Sequence, residues 1–517
     1  MKPLTGVFLA LMAGPGNVFA QLPTGGSSAS TPTAVVLPAS GRNNQGGSVK
    51  AAEQPVAGTT TSVNTLNPSV QISGPYSGST RSTAAMPFSG KLSLKEALDR
   101  GLAYNLGAVG LTQTVRQNAA QATIARSSLL PNITGSLSET VSQTDVAAFG
   151  FRVSSPFPGV RIPSIVGPFN YYALQANLSQ TVANLTTINN YRSARATARA
   201  SQYSLQDARD LVTLAVGGAY LQVLAAQARL DAAQAQLETA NTVFRQSTEQ
   251  HEQGVLGRLN VDQNQVRALT QQQQMITLRN DLAKQKINLA RLAGLPPDAG
   301  YELTDRFPFS PATVQNLNDA IAEAGRQRAD LKSAQAQVEA AEKAVSAARA
   351  ERLPSLSLSG YYQVIGTNPA QSHGAFNVVG TLSIPVWQGG RAAGDIAQAE
   401  AVLAQRRAEL DDTRGQIEAE VRQVYLDLEA AAGQVEVAQK NLQVSQEALE
   451  MTRARMDVGV INTLEVVRAQ ETVASAQLDL INSVFAHNLA KLSLARALGN
   501  ALGQFPSLLK SQPAPVP

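Results

Sequence analysis

The chain of 517 residues contains no cysteine. That absence excludes a disulfide framework, thiolate metal sites, thiol nucleophiles and a lipid carried on a terminal cysteine. Aromatics are scarce at 5% of residues, and only one is tryptophan, while Ala, Gln, Leu and Val dominate the C-terminal four fifths. Such a composition argues against a thick globular core and for long helices packed through small side chains. Charge is nearly balanced, 42 Lys and Arg against 38 Asp and Glu, so no nucleic-acid footprint is expected. There is no phosphate-cradling Gly-rich loop ending in Lys-Ser/Thr and no Gly-x-Ser-x-Gly elbow. The three histidines, His251, His373 and His487, fall in a tip turn, a hairpin loop and a returning helix, and read as ordinary surface residues. Neither enzymatic activity, a cofactor nor a metal centre is expected.

Residues 1–20 carry Lys2, an apolar run from Leu4 to Ala13 and a small-residue finish at Val18-Phe19-Ala20, the pattern of a cleaved secretory signal. The apolar run is about half the ~20 residues that a spanning helix needs. Residues 21–90 are rich in Ser, Thr, Gly, Pro and Asn, and their only charges are Arg42, Lys50, Glu53 and Arg81. A disordered leader is expected there, because so little burial cannot offset the entropy of ordering; a spacer or a surface-binding arm is the alternative. Beyond Gly90 no apolar run approaches spanning length, so entry into a membrane would have to be as β-strands.

The rest of the chain is one unit written twice. Tyr220, Gly254, Arg291 and Gly294 recur 205 residues later as Tyr425, Gly459, Arg496 and Gly499, which divides the chain into repeats at 91–315 and 316–499 with a tail at 500–517. The strand entry Leu130-Pro131 matches Leu353-Pro354 at an offset of 223, leaving 18 extra residues in the first copy, most simply between Gly150 and Pro168. Each copy reads as a short helix, a medium helix, a β-hairpin, a very long helix, a turn and a second long helix. In the second copy Ile396, Leu403, Leu410, Ile417, Val424, Ala431 and Ala438 fall every seven residues, with Val421, Leu428, Val435, Leu442 and Leu449 between them. The first copy repeats this a/d seam at Val212, Val216, Ala219, Val223, Ala226, Leu230, Ala233, Leu237, Ala240 and Phe244. The long helices are expected over about 189–250 and 391–457.

Between medium and long helices the period switches to two. Ile133, Leu137 and Val141 alternate with polar residues, as do Tyr172, Leu174, Ala176 and Leu178 with Tyr171, Gln175, Asn177 and Ser179; Leu356, Leu358, Tyr362, Phe376, Val378 and Leu382 mark the second hairpin. Ten aromatics crowd into the windows 149–172 and 361–387, among them Phe149, Phe151, Phe169, Tyr171, Tyr172, Tyr361, Tyr362, Phe376 and Trp387. Aromatics at the ends of apolar-out, polar-in strands are what a membrane girdle requires. Four strands cannot close a barrel, since the smallest have about eight, so several chains should share one; two hairpins packed as a small soluble sheet are the alternative.

With those features assembled, the sequence resembles the TolC family of outer-membrane efflux proteins, over about Leu92 to Gly499. The resemblance rests on Leu94-Lys95-Glu96-Ala97-Leu98, on the two Leu-Pro strand entries, on Leu382-Ser383-Ile384-Pro385-Val386-Trp387-Gln388-Gly389-Gly390-Arg391, and on Val458-Gly459-Val460-Ile461-Asn462-Thr463-Leu464-Glu465-Val466. It implies a homotrimer in the outer membrane of a Gram-negative type envelope. Twelve strands would form one barrel in outer-membrane lipid, and twelve helical segments a periplasmic coiled-coil tunnel. It also implies a periplasmic adaptor and an inner-membrane pump of RND, MFS or ABC type. The first copy lacks the Gly-Gly-Arg junction of the second. Where the family narrows its tunnel with acidic side chains, this chain has Glu465 and Arg468, and Asn260 and Gln263 in the first copy; a Glu465 ring is the gate expectation and an exposed Glu465–Arg468 salt bridge the alternative. For adaptor docking the expected tip residues are Gly254, Val255, Leu256, Val458, Gly459, Val460 and Thr463; the alternative is that they only staple two antiparallel helices together. The expected function is a passive exit duct of a tripartite efflux system. An exit duct for type I protein secretion and a non-conducting coiled-coil scaffold are the alternatives.

Overall fold

A computed structural model describes residues 48–56, 65–80, 88–145, 148, 165–305, 309–311, 316–457 and 463–503, all within one unit spanning 38–517. The expected signal, Phe149, Phe151, Val458, Gly459, Val460, nearly all of the 150–168 excess and most of the tail lie outside the described residues. In chain order the elements are β1 (Val49–Val56), β2 (Thr65–Ile72), β3 (Lys91–Leu92), α1 (Leu94–Tyr104), α2 (Leu106–Ser127), β4 (Asn132–Asp145), β5 (Ile165–Ala183), α3 (Leu185–Glu252) and α4 (Arg258–Leu292). The second half follows with β6 (Glu302–Leu303), α5 (Leu317–Gln327), α6 (Ala329–Ala350), β7 (Ser355–Gly366), β8 (His373–Ser383), α7 (Arg391–Asp457) and α8 (Thr463–Ala497). The expected order of elements is thus present twice.

Side-chain caps set the helix starts. Ser93, Asn105, Asn184 and Asn316 each accept a hydrogen bond from a backbone N–H in the first turn of α1, α2, α3 and α5, satisfying donors that have no partner inside the helix. The long helices α3 and α7 have 68 and 67 residues, about 100 Å each at ~1.5 Å per residue. Their seams are buried as the period requires: Val212, Val216, Val223 and Ala233 on α3, and Ile417, Val421, Leu428 and Val435 on α7. Tyr220 is buried in the first seam and donates its hydroxyl to Asp305 at 2.7 Å, a carboxylate that also accepts from the Leu94 N–H.

α3 is the hub, packing against α1, α2, α4, α6 and α8. One part of it is apolar enough to cross a membrane by length and composition, which departs from the expectation that no such run follows Gly90; 78% of that stretch is buried inside the protein. Its apolarity is accounted for by five helical neighbours, without lipid.

The polar leader also departs from expectation. Within 21–90, β1 and β2 pair antiparallel from Val49↔Ile72 to Val56↔Thr65, and a turn of helix at Gly74–Ser77 buries Tyr76. Val49 and Tyr76 belong to the same apolar core as Val212, Val216 and Tyr220, with Val70 and Ile72 packed against it. A leader with little burial of its own is ordered by surface that α3 lends it.

Where the two repeats meet, charges are buried. Arg328, 1% exposed, is held by Asp330 at 2.7 Å and Glu420 at 2.6 Å, joining the start of α6 to α7. Arg496 of α8 pairs with Asp207 of α3 at 2.5 Å. Burial weakens each cation, and the facing carboxylates more than offset it, so both guanidinium groups are held above their usual range. His487, 0% exposed, departs from the surface reading: its ring lies 5.1 Å from that of Phe309, and burial, with Lys491 nearby, pulls its pKa down to about 4. Burial likewise pulls Lys491 down to about 8, and its ammonium donates to the carbonyl and hydroxyl of Ser310.

Asp210 is pushed up to about 6, first by burial and then by Asp207, with Arg496 opposing. A carboxyl raised in the fold contributes stability below its unfolded pKa, near 4, and loses it as pH rises through about 6. Asp210→Asn should therefore raise the thermal midpoint at pH 8, by an amount equivalent to up to about 3 kcal/mol, and the gain should vanish below about pH 4. Melting both proteins across that pH range checks the sign.

Candidate functional site: the open sheet and the helical tips

The four strands β4, β5, β7 and β8 form one antiparallel sheet in that order. Register decides which residues share a face. Leu137 pairs with Leu174, Leu174 with Val364, Tyr362 with Phe376 and Leu356 with Leu382, so one face carries Ile133, Leu137, Val141, Tyr172, Leu174, Leu178, Tyr362, Phe376, Val378 and Leu382. Most of these are exposed in the single chain. The other face pairs Ser136 with Gln175, Asn177 with Tyr361, Ser179 with Ser359 and Ser357 with Thr381. One face suits hydrocarbon and the other water.

The aromatics divide between the two. Tyr172, Tyr362 and Phe376 lie on the apolar face. Tyr171 and Tyr361 lie on the polar face beside Asn177, and Phe169 pairs with Ser142 on that side, so these three depart from the expected lipid-facing girdle. The signal was in the sequence: Tyr171 alternates in step with Gln175 and Asn177. Trp387, 88% exposed, lies past the end of β8 on the way into α7, at the opposite end of that strand from Phe376. β4 and β8 are the outer strands, and each leaves one row of backbone donors and acceptors unpaired within the sheet.

At the far end of the helices, α3 closes into α4 through Gly254, whose φ of 77° is the left-handed turn that ends a helix with least strain. The Val255 N–H returns to the Gln250 carbonyl at 2.9 Å, and the His251 Nδ1–H donates to the Leu256 carbonyl at 2.7 Å. Leu256 is half-buried by this closure, whereas Val255 is 75% exposed. Of the expected gate residues, Asn260 and Gln263 sit in the first turns of α4, Glu465 and Arg468 in those of α8; Asn260 is half-buried and the other three are exposed. Thr463 opens α8.

A residue that sequence reading missed joins these two helices. Arg267 of α4 donates to Glu471 at 2.9 Å and to the Val467 carbonyl at 3.0 Å, linking the third turns of α4 and α8. Arg267 is largely buried, which weakens its cation, and Glu471 restores part of it. No spacing within one repeat points to this bond, because its partners lie in different repeats.

The family described as outer membrane efflux protein matches residues 111–295 and 320–500. The pyoverdine export outer membrane protein OpmQ of Pseudomonas aeruginosa is 30% identical over 207 residues, 39% of this chain and 43% of that protein. OpmQ of Pseudomonas putida is 27% identical over 300 residues, 55% of this chain and 60% of that protein. The chain thus spans less than two thirds of the length of these curated relatives. Among solved structures, the CmeC outer membrane channel of Campylobacter jejuni superposes with a TM-score of 0.67 at 20% identity, covering 79% of this chain and 86% of that one. VceC of Vibrio cholerae gives a TM-score of 0.65 at 20% identity, covering 79% and 96%. These two likenesses establish the fold: a long helical barrel under an antiparallel sheet.

Arg267→Ala should loosen the tips. A hydrogen bond to a charged group contributes about 1.5 kcal/mol, so local opening should become roughly tenfold more frequent. Amide exchange should quicken in the first turns of α4 and α8 and stay unchanged at the Arg328 joint; equal rates at the tips would remove Arg267 from the tie.

Proposed function

The chain belongs to the outer membrane efflux protein family, its match running through both repeats, and on that premise we propose that it is the passive exit duct of a tripartite export system. The family consists of outer-membrane channels, not enzymes. In the proposed assembly three copies close one barrel, the β8 edge of each pairing with the β4 edge of the next. Twelve strands then leave no open edge in the hydrocarbon, where unpaired backbone is not tolerated. The observation that carries this reading is that, among the described residues, two strand edges and two apolar helix stripes lack partners within the chain.

Those stripes are Leu426, Val437, Val444 and Met451 on α7, and Leu259, Val266, Leu269 and Ile276 on α4, all exposed and largely at heptad spacing. A second seam on a helix already packed by its first calls for another helix. In the trimer α4 of one copy meets α7 of the next, and the ring of helices closes as the strands do.

The duct supplies no energy, so an inner-membrane pump of RND, MFS or ABC type would drive export, coupled through a periplasmic adaptor at the tips. Docking would rest on Val255, exposed at the first tip, and on Val458, Gly459 and Val460, which lie outside the described residues. Glu465 would set the charge of the constriction, and the adaptor would open it by binding the splayed state more tightly than the closed one. Similarity to pyoverdine exporters supports a small-molecule cargo over a secreted protein.

A photo-crosslinking residue at Val255, used in living cells, tests the coupling. Capture of a periplasmic adaptor peptide is the expected result; capture of neighbouring protomers alone would point to a scaffold without a standing partner. In planar bilayers Glu465→Gln should lower cation preference, and an unchanged reversal potential would remove Glu465 from the constriction.

A further inference from the structure

Among the described residues the β1–β2 hairpin has no counterpart in the second repeat, and the duct reading gives it no role. Its position is defined by two contacts on α3. Val216 lies against Gly101 of α1, and Gly218, two residues on, lies against Val70 of β2. At ~100° per residue those contacts point about 160° apart around the helix. α1 and the hairpin therefore occupy opposite faces of α3.

α7 has the same two faces. Tyr425, Leu426 and Glu429 line a cavity of about 840 Å³ with Leu317 of α5 and His487. Glu409, Asp412, Gln416, Gln423 and Asp427 line another of about 880 Å³ with Ser48, Val49, Lys50 and Ala51. The short helices α1 and α5 thus sit on one side of the helical layer and the hairpin on the other. On the hairpin side α7 presents mainly carboxylates and amides, with Ala419 and Val424 among them, whereas on the α5 side Tyr425, Leu426, Leu428 and Ala432 stand among Arg422, Glu429, Glu436 and Gln439. A water-filled tunnel needs a polar wall, since an apolar one dewets.

The repeat itself breaks where the hairpin docks. At the 205-residue offset, Gly217-Gly218 of α3 corresponds to Arg422-Gln423 of α7. Two adjacent glycines are unfavourable inside a helix, but a Cβ at Gly218 would stand 2.3 Å from the Val70 Cγ2. The first copy has given up side chains at the place the hairpin fills. Lys50, exposed on β1, faces the cavity that Glu409, Asp412 and Asp427 line, so charge as well as shape matches hairpin to wall.

We infer that the β1–β2 hairpin stands in the conduction path as a sleeve on the tunnel-facing wall, narrowing the duct at the level of α1 and α5. This rests on the duct reading, and three hairpins, one per subunit, would line the passage there. A permeating solute would meet Lys50 against a wall that carries Glu409, Asp412 and Asp427, with Arg496 also on it.

The absence of cysteine makes the test clean. Lys50→Cys protein is reconstituted in planar bilayers beside the unaltered protein and exposed to a biotin-bearing methanethiosulfonate reagent, whose adduct is far bulkier than the native lysine. No current from the unaltered protein, nor from protein carrying Glu465→Ala, would strike down the duct reading itself. With current present, the sleeve predicts stepwise loss as successive subunits are modified, reversed by dithiothreitol. Undiminished current overturns the sleeve whether mass spectrometry finds the thiol modified or untouched, since a residue in the path must be both reachable and obstructive. Ala51→Cys, on the same cavity, serves if Lys50→Cys does not assemble.

Discussion

Every part of the protein depends on how α3 is buried. A helix of 68 residues keeps one neighbour along its whole length only if its apolar residues repeat at 3.5 and its knobs stay small enough for close approach. α3 meets both conditions with Val212, Val216, Ala219, Val223 and Ala226, and then packs further neighbours around itself. Through α6 and α8 it positions α7, and through α1, α2 and the hairpin it anchors the start of the described chain. The apolarity that makes part of it resemble a membrane span is the consequence of having neighbours on nearly every side.

The charges divide into two classes by what surrounds them. Arg328 and Arg496 are buried with carboxylates from other helices. Removing one partner there leaves the other uncompensated in a poorly polarizable setting, so the joint between repeats resists sliding. At the tips the ties are partly wet: Arg267 is largely covered while Glu471 is exposed, and Glu465, Arg468 and Gln263 face solvent. Exposed ion pairs contribute little. The charged contacts thus run from buried guanidinium groups at the joint between the repeats to partly or wholly exposed groups at the tips.

The sheet and the second apolar stripes pose one physical problem in two materials. An antiparallel sheet with outer strands β4 and β8 leaves backbone groups unpaired, and α4 and α7 leave apolar seams uncovered. Copies of the same chain answer both at once if strands and helices close around a common axis. The apolar and polar faces of the sheet then face lipid and water respectively, and the aromatics sort accordingly: Tyr172, Tyr362 and Phe376 outward, Tyr171 and Tyr361 inward.

Periodicity alone determined the helices, their lengths, the hairpins and the doubling of the chain, because periods of 3.5 and 2 over long segments and a 205-residue offset are local or self-comparative signals. Alternation also determined which strand residues share a face, Tyr171 with Gln175 included. Tertiary structure alone decided the rest. The leader orders because α3 offers Gly218 to Val70, a contact no composition rule anticipates. His487 is buried because Phe309 reaches it from a connecting segment, and Arg267 finds Glu471 because two helices from different repeats end side by side. Each of these joins residues far apart in sequence through a surface that exists only once both partners are folded, so neither partner's own stretch of chain carries a trace of it.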